Sequence, residues 1–109
     1  MLKRNDFLEK RFVHHGGAIN LIIAVIRQAW EDAFLPENTE FKEDRVYAIK
    51  LFEDTEGKWK RSFDLLADAS GINAQKLKEY YYKYKILRIC YGLNIPPEDA
   101  FYHILERVL

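Results

Sequence analysis

The stretch from Phe63 to Tyr82, FDLLADASGINAQKLKEYYY, constrains the fold more than any other part of the chain. Its residue types fall at the spacings that let two short helices cross at a tight turn. Gly71 directly follows an apolar helix ending at Ser70 and can take the left-handed conformation that closes a helix, which other residues reach only with strain. Four residues earlier, Ala67 is small enough to let a second helix approach closely. Asn73 is placed to cap that helix by accepting a hydrogen bond from a free backbone N–H near Gln75 or Lys76. Leu66, Ile72, Leu77 and Tyr80 then point into one shared apolar seam. The expectation is a helix, a tight turn and a second helix across about residues 62–91.

Composition sets the outer bounds. The 109 residues, 49% hydrophobic and 15% aromatic, predict one domain over 1–109 with a modest packed core rather than a disordered chain. A lone cysteine, Cys90, cannot form an internal disulfide and is expected as a buried small apolar residue in a reducing cytosol. The N-terminal MLKRNDFLEKRF mixes charge with isolated apolar residues, without the apolar run of a signal peptide. The longest apolar run, Leu21 to Ile26, is ended by Arg27 and is far too short to span a bilayer. A soluble, cytoplasmic protein is expected.

Helical periodicity covers nearly everything else, and no strand is needed. In residues 18 to 35, Ile19, Ile22, Ile23, Ile26, Trp30 and Phe34 recur at three- and four-residue steps, predicting the core helix. Pro36 and Glu37-Asn38-Thr39 end it. A helix from about Phe41 to Glu53 is expected to carry Val46, Ile49 and either Tyr47 or Leu51 inward, with an acidic start that suits the helix dipole. Asp54 to Gly57 forms the clearest turn, after which Trp59 and Phe63 return the chain to the core. The second helix of the crossing pair is predicted from Ala74 to Tyr91, burying Leu77, Tyr80, Tyr81, Tyr84, Leu87 and Tyr91. After Pro96-Pro97, a last helix presents the stripe Phe101, Ile104, Leu105, Val108 and Leu109. That stripe either closes the core or pairs with its copy in a homodimer. The fold expected is all-α, a compact bundle of five to six helices.

The order apolar, Ala, three residues, Gly, apolar, then Leu and an aromatic resembles the helix-turn-helix DNA-binding superfamily over about a fifth of the chain. Ser70 departs from that pattern, whose corresponding position is usually apolar. More loosely, AVIRQAWEDAF, the acidic connector and SFDLLADASGI across 18 to 80 resemble short proteins encoded in bacteriophages and prophages. That resemblance implies a small DNA-binding or regulatory protein, and makes a small terminase subunit conceivable.

Net charge is zero, but unevenly distributed. Residues 36–57 hold three cations against seven anions, a net −4, whereas residues 58–95 hold eight against three, a net +5, in the segment that carries the crossing helices. Lysine and arginine supply most nonspecific DNA affinity through phosphate neutralisation. Lys58, Lys60, Arg61, Lys83 and Lys85 are therefore the candidate phosphate contacts. Asn73, Gln75, Lys76, Lys78 and Tyr82 are the candidates for reading bases, since asparagine and glutamine can bond adenine twice and lysine reaches guanine. Glu79 on the same face repels phosphate, unless it bonds cytosine or pairs with Lys76, Lys83 or a partner chain. The competing reading of these lysines is a solvated helix face on a structural corner.

Catalysis has little support. His14-His15-Gly16-Gly17 reads as a helix boundary, because adjacent histidines on a helix diverge by about 100°. His103 has no partner identifiable from sequence, and no phosphate loop, His-Glu-x-x-His or nucleophile motif occurs. Neither a catalytic residue, a metal site nor a cofactor is expected. Two functions follow from this pattern: a double-stranded-DNA-binding transcriptional regulator, or a non-enzymatic protein-interaction module. In the second, acids around Glu43, Asp44 and Glu53 or the last helix form the working surface.

Overall fold

The computed structural model describes residues 17–109. Five helices and no strand occur among the described residues: α1 (Gly17–Ala33), α2 (Lys42–Glu53), α3 (Gly57–Ser70), α4 (Ala74–Cys90) and α5 (Pro97–Val108). The His14-His15 boundary and the N-terminal dodecapeptide lie outside them. None of the described helices is long and apolar enough to cross a membrane.

α1 is the central helix, contacting α2, α3 and α5. Ile23, Ile26, Trp30 and Ala33 are buried along it, with Ile22 and Phe34 packed at the margin. Ile19, read as inward-facing, is about half exposed because it precedes the buried run by one turn. Trp30 is wholly buried and sits within 5.9 Å, centroid to centroid, of Phe34, Phe52, Tyr81, Tyr84 and Phe101. One indole thus gathers rings from α2, α4, α5 and the end of its own helix. Mostly tilted and edge-on, these geometries suit aromatic quadrupoles.

The connector to α2 is fastened by Arg45, whose Nε donates to the Leu35 carbonyl at 3.0 Å. α2 buries Ala48, Leu51 and Phe52, the i, i+3, i+4 pattern of a single face. That choice of face leaves Val46 on the opposite side and exposed, against the sequence expectation. Tyr47 is half exposed and stacks on Trp59 of α3 at 5.6 Å.

α3 begins at Gly57, several residues before the expected boundary, and buries Phe63, Ala67 and Ser70. It ends as the residue types demand. Gly71 adopts φ 79°, ψ 10°, its N–H donates to the Asp68 carbonyl at 3.2 Å, and the Ile72 N–H donates to the Ala67 carbonyl at 2.9 Å. These two bonds form a Schellman closure, satisfying carbonyls that the helix end leaves free. Ser70 tolerates burial because its hydroxyl faces the Leu66 and Ala67 carbonyls at 2.9 and 3.0 Å. The polar departure at this position therefore carries no unsatisfied donor.

The Asn73 N–H then donates to the Val108 carbonyl at 2.6 Å, tying the turn to the end of α5. The Asn73 Oδ1 accepts from the Lys76 N–H at 3.0 Å, starting α4 as the sequence predicts. Along α4, Leu77, Tyr81 and Tyr84 are buried and Tyr80 packs at the edge. The last turn differs from expectation. Leu87, Tyr91 and Cys90 are all exposed. Beyond Tyr84 the inner face passes to Arg88, which donates to the Tyr84 hydroxyl at 2.8 Å and lies 5.9 Å from the Phe34 ring. The N–H groups of Tyr91 and Leu93 both turn back to the Leu87 carbonyl, ending the helix there.

α5 starts after Pro96 and buries Ala100, Phe101 and Val108, with Ile104 and Leu105 packed on the core. Its apolar stripe therefore closes the core of its own chain; only Leu109 of that stripe is left largely exposed.

Candidate nucleic-acid interface

The short Gly71–Asn73 turn and the capped first turn of α4 fix how α3 and α4 meet. Between them lies a shallow groove lined by Lys60, Asp64, Gln75, Lys78, Glu79 and Tyr82. Three of the five base-reading candidates, Gln75, Lys78 and Tyr82, thus share one concavity with a phosphate candidate, Lys60. Helical spacing carries Lys76 and Lys83 to the far flank of α4, where both are exposed.

The ten candidates divide by what their side chains already do. The Asn73 carbonyl oxygen is occupied by the helix cap. Lys60 pairs with Asp64 at 2.5 Å, an i, i+4 bridge between exposed groups that was not among the sequence expectations. Lys78 is half-buried, with Nζ 3.4 Å from the Asp54 carbonyl and 4.8 Å from the centre of the Phe63 ring. Burial foremost pushes its pKa below the usual lysine range; neighbouring Lys60 acts in the same direction, and Asp64 and Asp54 oppose. Lys85 pairs with Glu53 at 2.5 Å.

The remainder are Gln75, Lys76, Lys58, Arg61, Lys83 and Tyr82. All six are exposed, and the four cations have no carboxylate partner among the described residues. Lys58 and Lys83 rest near the Trp59 and Tyr80 rings, at 5.2 and 5.5 Å from their centres. Burial and then the Glu53 charge raise the Tyr82 pKa, so that its hydroxyl stays a neutral donor. Glu79 pairs with neither Lys76 nor Lys83. The groove, with Lys60 and Lys78 against Asp64 and Glu79, is electrically balanced. Four further exposed cations lie outside it, Arg61 and Lys58 on α3 and Lys76 and Lys83 on α4.

Sequence reasoning missed a polar clamp beneath this surface. Glu53 Oε2 accepts from the Tyr81 hydroxyl at 2.6 Å and from Lys85 Nζ at 2.5 Å, joining the end of α2 to the middle of α4. Desolvation alone would raise the Glu53 pKa. The bonds from Lys85 and Tyr81 outweigh it and hold the carboxyl below its ordinary value of 4.5. Burial, and then Glu53, push the Tyr81 hydroxyl well above its ordinary range. Glu53 is therefore committed inside the molecule rather than displayed, whereas Glu43 and Asp44 are exposed. No local pattern announces a contact between residues 28 and 32 positions apart.

A second concavity, of about 380 Å³ and mostly apolar, lies between α1 and α2, lined by Leu21, Val25, Tyr47, Leu51, Trp59 and Asp44 among others. In comparisons with family models, curated proteins and solved structures, the chain finds no match in any of the three.

Proposed function

We propose that this chain is a small double-stranded-DNA-binding protein of the transcriptional-regulator type, with α3 and α4 acting as a helix-turn-helix and α4 entering the major groove. The observation that carries this reading is the exposed stretch of α4 from Gln75 to Lys83. From a helix start fixed by Gly71 and Asn73, it offers Gln75, Lys76 and Lys83 to solvent, with Arg61 and Lys58 exposed on α3. Gln75 is the residue suited to bidentate adenine recognition and Lys76 to guanine or phosphate. Arg61, Lys58 and Lys83 supply phosphate contacts. Lys60, Lys78 and Lys85 are held by Asp64, the Asp54 carbonyl and Glu53 and play a lesser part.

The number of free cations makes the reading quantitative. Four phosphate-neutralising side chains give a slope of log K against log salt of about −4, whereas all seven candidate lysines and arginines, with Lys60, Lys78 and Lys85 included, would give about −6. Fluorescence anisotropy of a labelled duplex across salt concentrations measures that slope, with Lys76→Glu/Lys83→Glu as the control. Binding that weakens at about −4 and vanishes in the double variant supports the reading. No binding at low salt would sink it.

The alternative, a protein-interaction module of the inhibitor or assembly-adaptor kind, has its own observation: the apolar α1–α2 groove, with Leu21, Val25 and Tyr47 exposed along it. There, Leu21→Glu abolishes partner binding and the Lys76→Glu/Lys83→Glu variant retains it.

A further inference from the structure

α4 changes character along its length. Its first ten residues expose Gln75, Lys76, Glu79 and Lys83, and its last two turns expose Ile86, Leu87, Ile89 and Cys90, followed by Tyr91. Tyr82, Ile86, Leu87, Ile89 and Tyr91 are 39, 53, 44, 71 and 77% exposed. At i, i+3 and i+4 spacings Tyr82, Ile86, Ile89 and Cys90 follow one another along the outward face, with Leu87 on its flank and Tyr91 just past the helix end. None of them is needed to complete the core, which is already closed by Tyr81, Tyr84 and α5.

We infer that this surface is the interface of a homodimer in which the C-terminal half of α4 packs against the same half of a second copy. Two properties select a second copy as the occupant. The first is area. At about 200 Å² for a large side chain, the exposed fractions amount to at most about 600 Å² per copy. Complete burial in two copies would give about 1,200 Å², the lower bound for a specific interface, so the dimer is a weak one. The second is charge. No carboxylate occurs between Glu79 and Glu98, so the patch itself offers nothing to a basic partner. Its nearest cations are largely engaged within their own chain, Lys85 by Glu53 and Arg88 by the Tyr84 hydroxyl and the Phe34 ring. Lys83 rests 5.5 Å from the centre of the Tyr80 ring, beside Ile86 and Leu87, with no carboxylate partner among the described residues.

An apolar, tyrosine-bearing patch can face its own copy, as a twofold interface requires, with Lys83 turned to solvent at the edge of the contact. The pairing leaves Gln75 and Lys76 of both copies outside the contact, and it does not depend on the DNA reading. It also differs from pairing through α5, whose stripe is spent in the core.

Sedimentation equilibrium of the full chain across about 1–100 µM, the weak end for interfaces near the minimum size, tests it. The parent is expected to approach twice the monomer mass, with little change at high salt. Ile89→Asp is expected to give a monomer with the circular dichroism and urea midpoint of an intact fold, since Ile89 supports no core contact. Leu65→Asp, equally exposed but on α3, is expected to remain dimeric. A parent that stays monomeric throughout, or an Ile89→Asp variant that still dimerises, overturns the inference. Salt-insensitive dimerisation alongside a failed duplex titration would leave this interface standing and remove the DNA reading alone.

Discussion

Replacing Tyr81 by phenylalanine isolates the polar clamp between α2 and α4. The ring is buried and lies 4.6 Å from Phe52 at an interplanar angle of 4°. Phenylalanine keeps that stack and fills the same space, so no cavity term enters. What disappears is one hydrogen bond, 2.6 Å long, to a carboxylate. Bonds to charged groups contribute about 1.5–3 kcal/mol. Here the lower part of that range applies, because Glu53 keeps Lys85 at 2.5 Å and its side chain is 27% exposed to water. A loss of about 1–2 kcal/mol is expected, or a fall in Tm of roughly 5–10 °C for a chain of this size. Urea unfolding followed by the fluorescence of buried Trp30 measures it. Tyr82→Phe is the control: its hydroxyl makes no hydrogen bond among the described residues, so the change is expected to stay within about 0.5 kcal/mol. If Tyr81→Phe costs no more than Tyr82→Phe, the clamp contributes nothing and the reasoning from its geometry fails.

The clamp also predicts a pH dependence. The Glu53 carboxyl is held below its ordinary 4.5 in the folded state, so the unfolded state binds the proton first and stability rises with pH through that region. The contribution is fully present above 4.5 and is lost as pH falls through the lower folded value. Urea midpoints of the parent and Glu53→Gln should therefore converge as pH falls below 4.5, and parallel curves would refute this assignment. At Gly71, a Cβ would meet no atom within 4 Å, and φ is +79°. Gly71→Ala thus costs only the left-handed backbone penalty, about 1–2 kcal/mol, read as a lower urea midpoint at unchanged helical content. A neutral result would mean that the turn relaxes out of the left-handed region.

What could be read from the sequence was set by interactions a few residues long. The Gly71 turn and the Asn73 cap follow from backbone groups at most five positions apart, and each appears where its residue types place it. The helices of α1, α2 and α5 were legible for the same reason, their periodicity being a local property. Periodicity alone, however, did not choose the buried face of α2, where several apolar residues compete. Tertiary contact chose Ala48, Leu51 and Phe52, because Trp30 and Tyr81 provide the pocket that Phe52 fills. The candidate interface divided in the same way. The basic character of 58–95 is a matter of composition. Which of its cations remain free was decided by carboxylates brought close by folding: Asp64 takes Lys60 from one turn away, and Glu53 takes Lys85 across 32 residues.

The sequence by itself thus determined the helices, the turn between α3 and α4 and the cap that starts α4, since these are closed by bonds between near neighbours. Only the tertiary structure decided that Leu87, Ile89, Cys90 and Tyr91 face outward. The aromatic cluster around Trp30 is filled by Tyr81, Tyr84 and Phe101 before α4 reaches its last turn, leaving those side chains no core to enter.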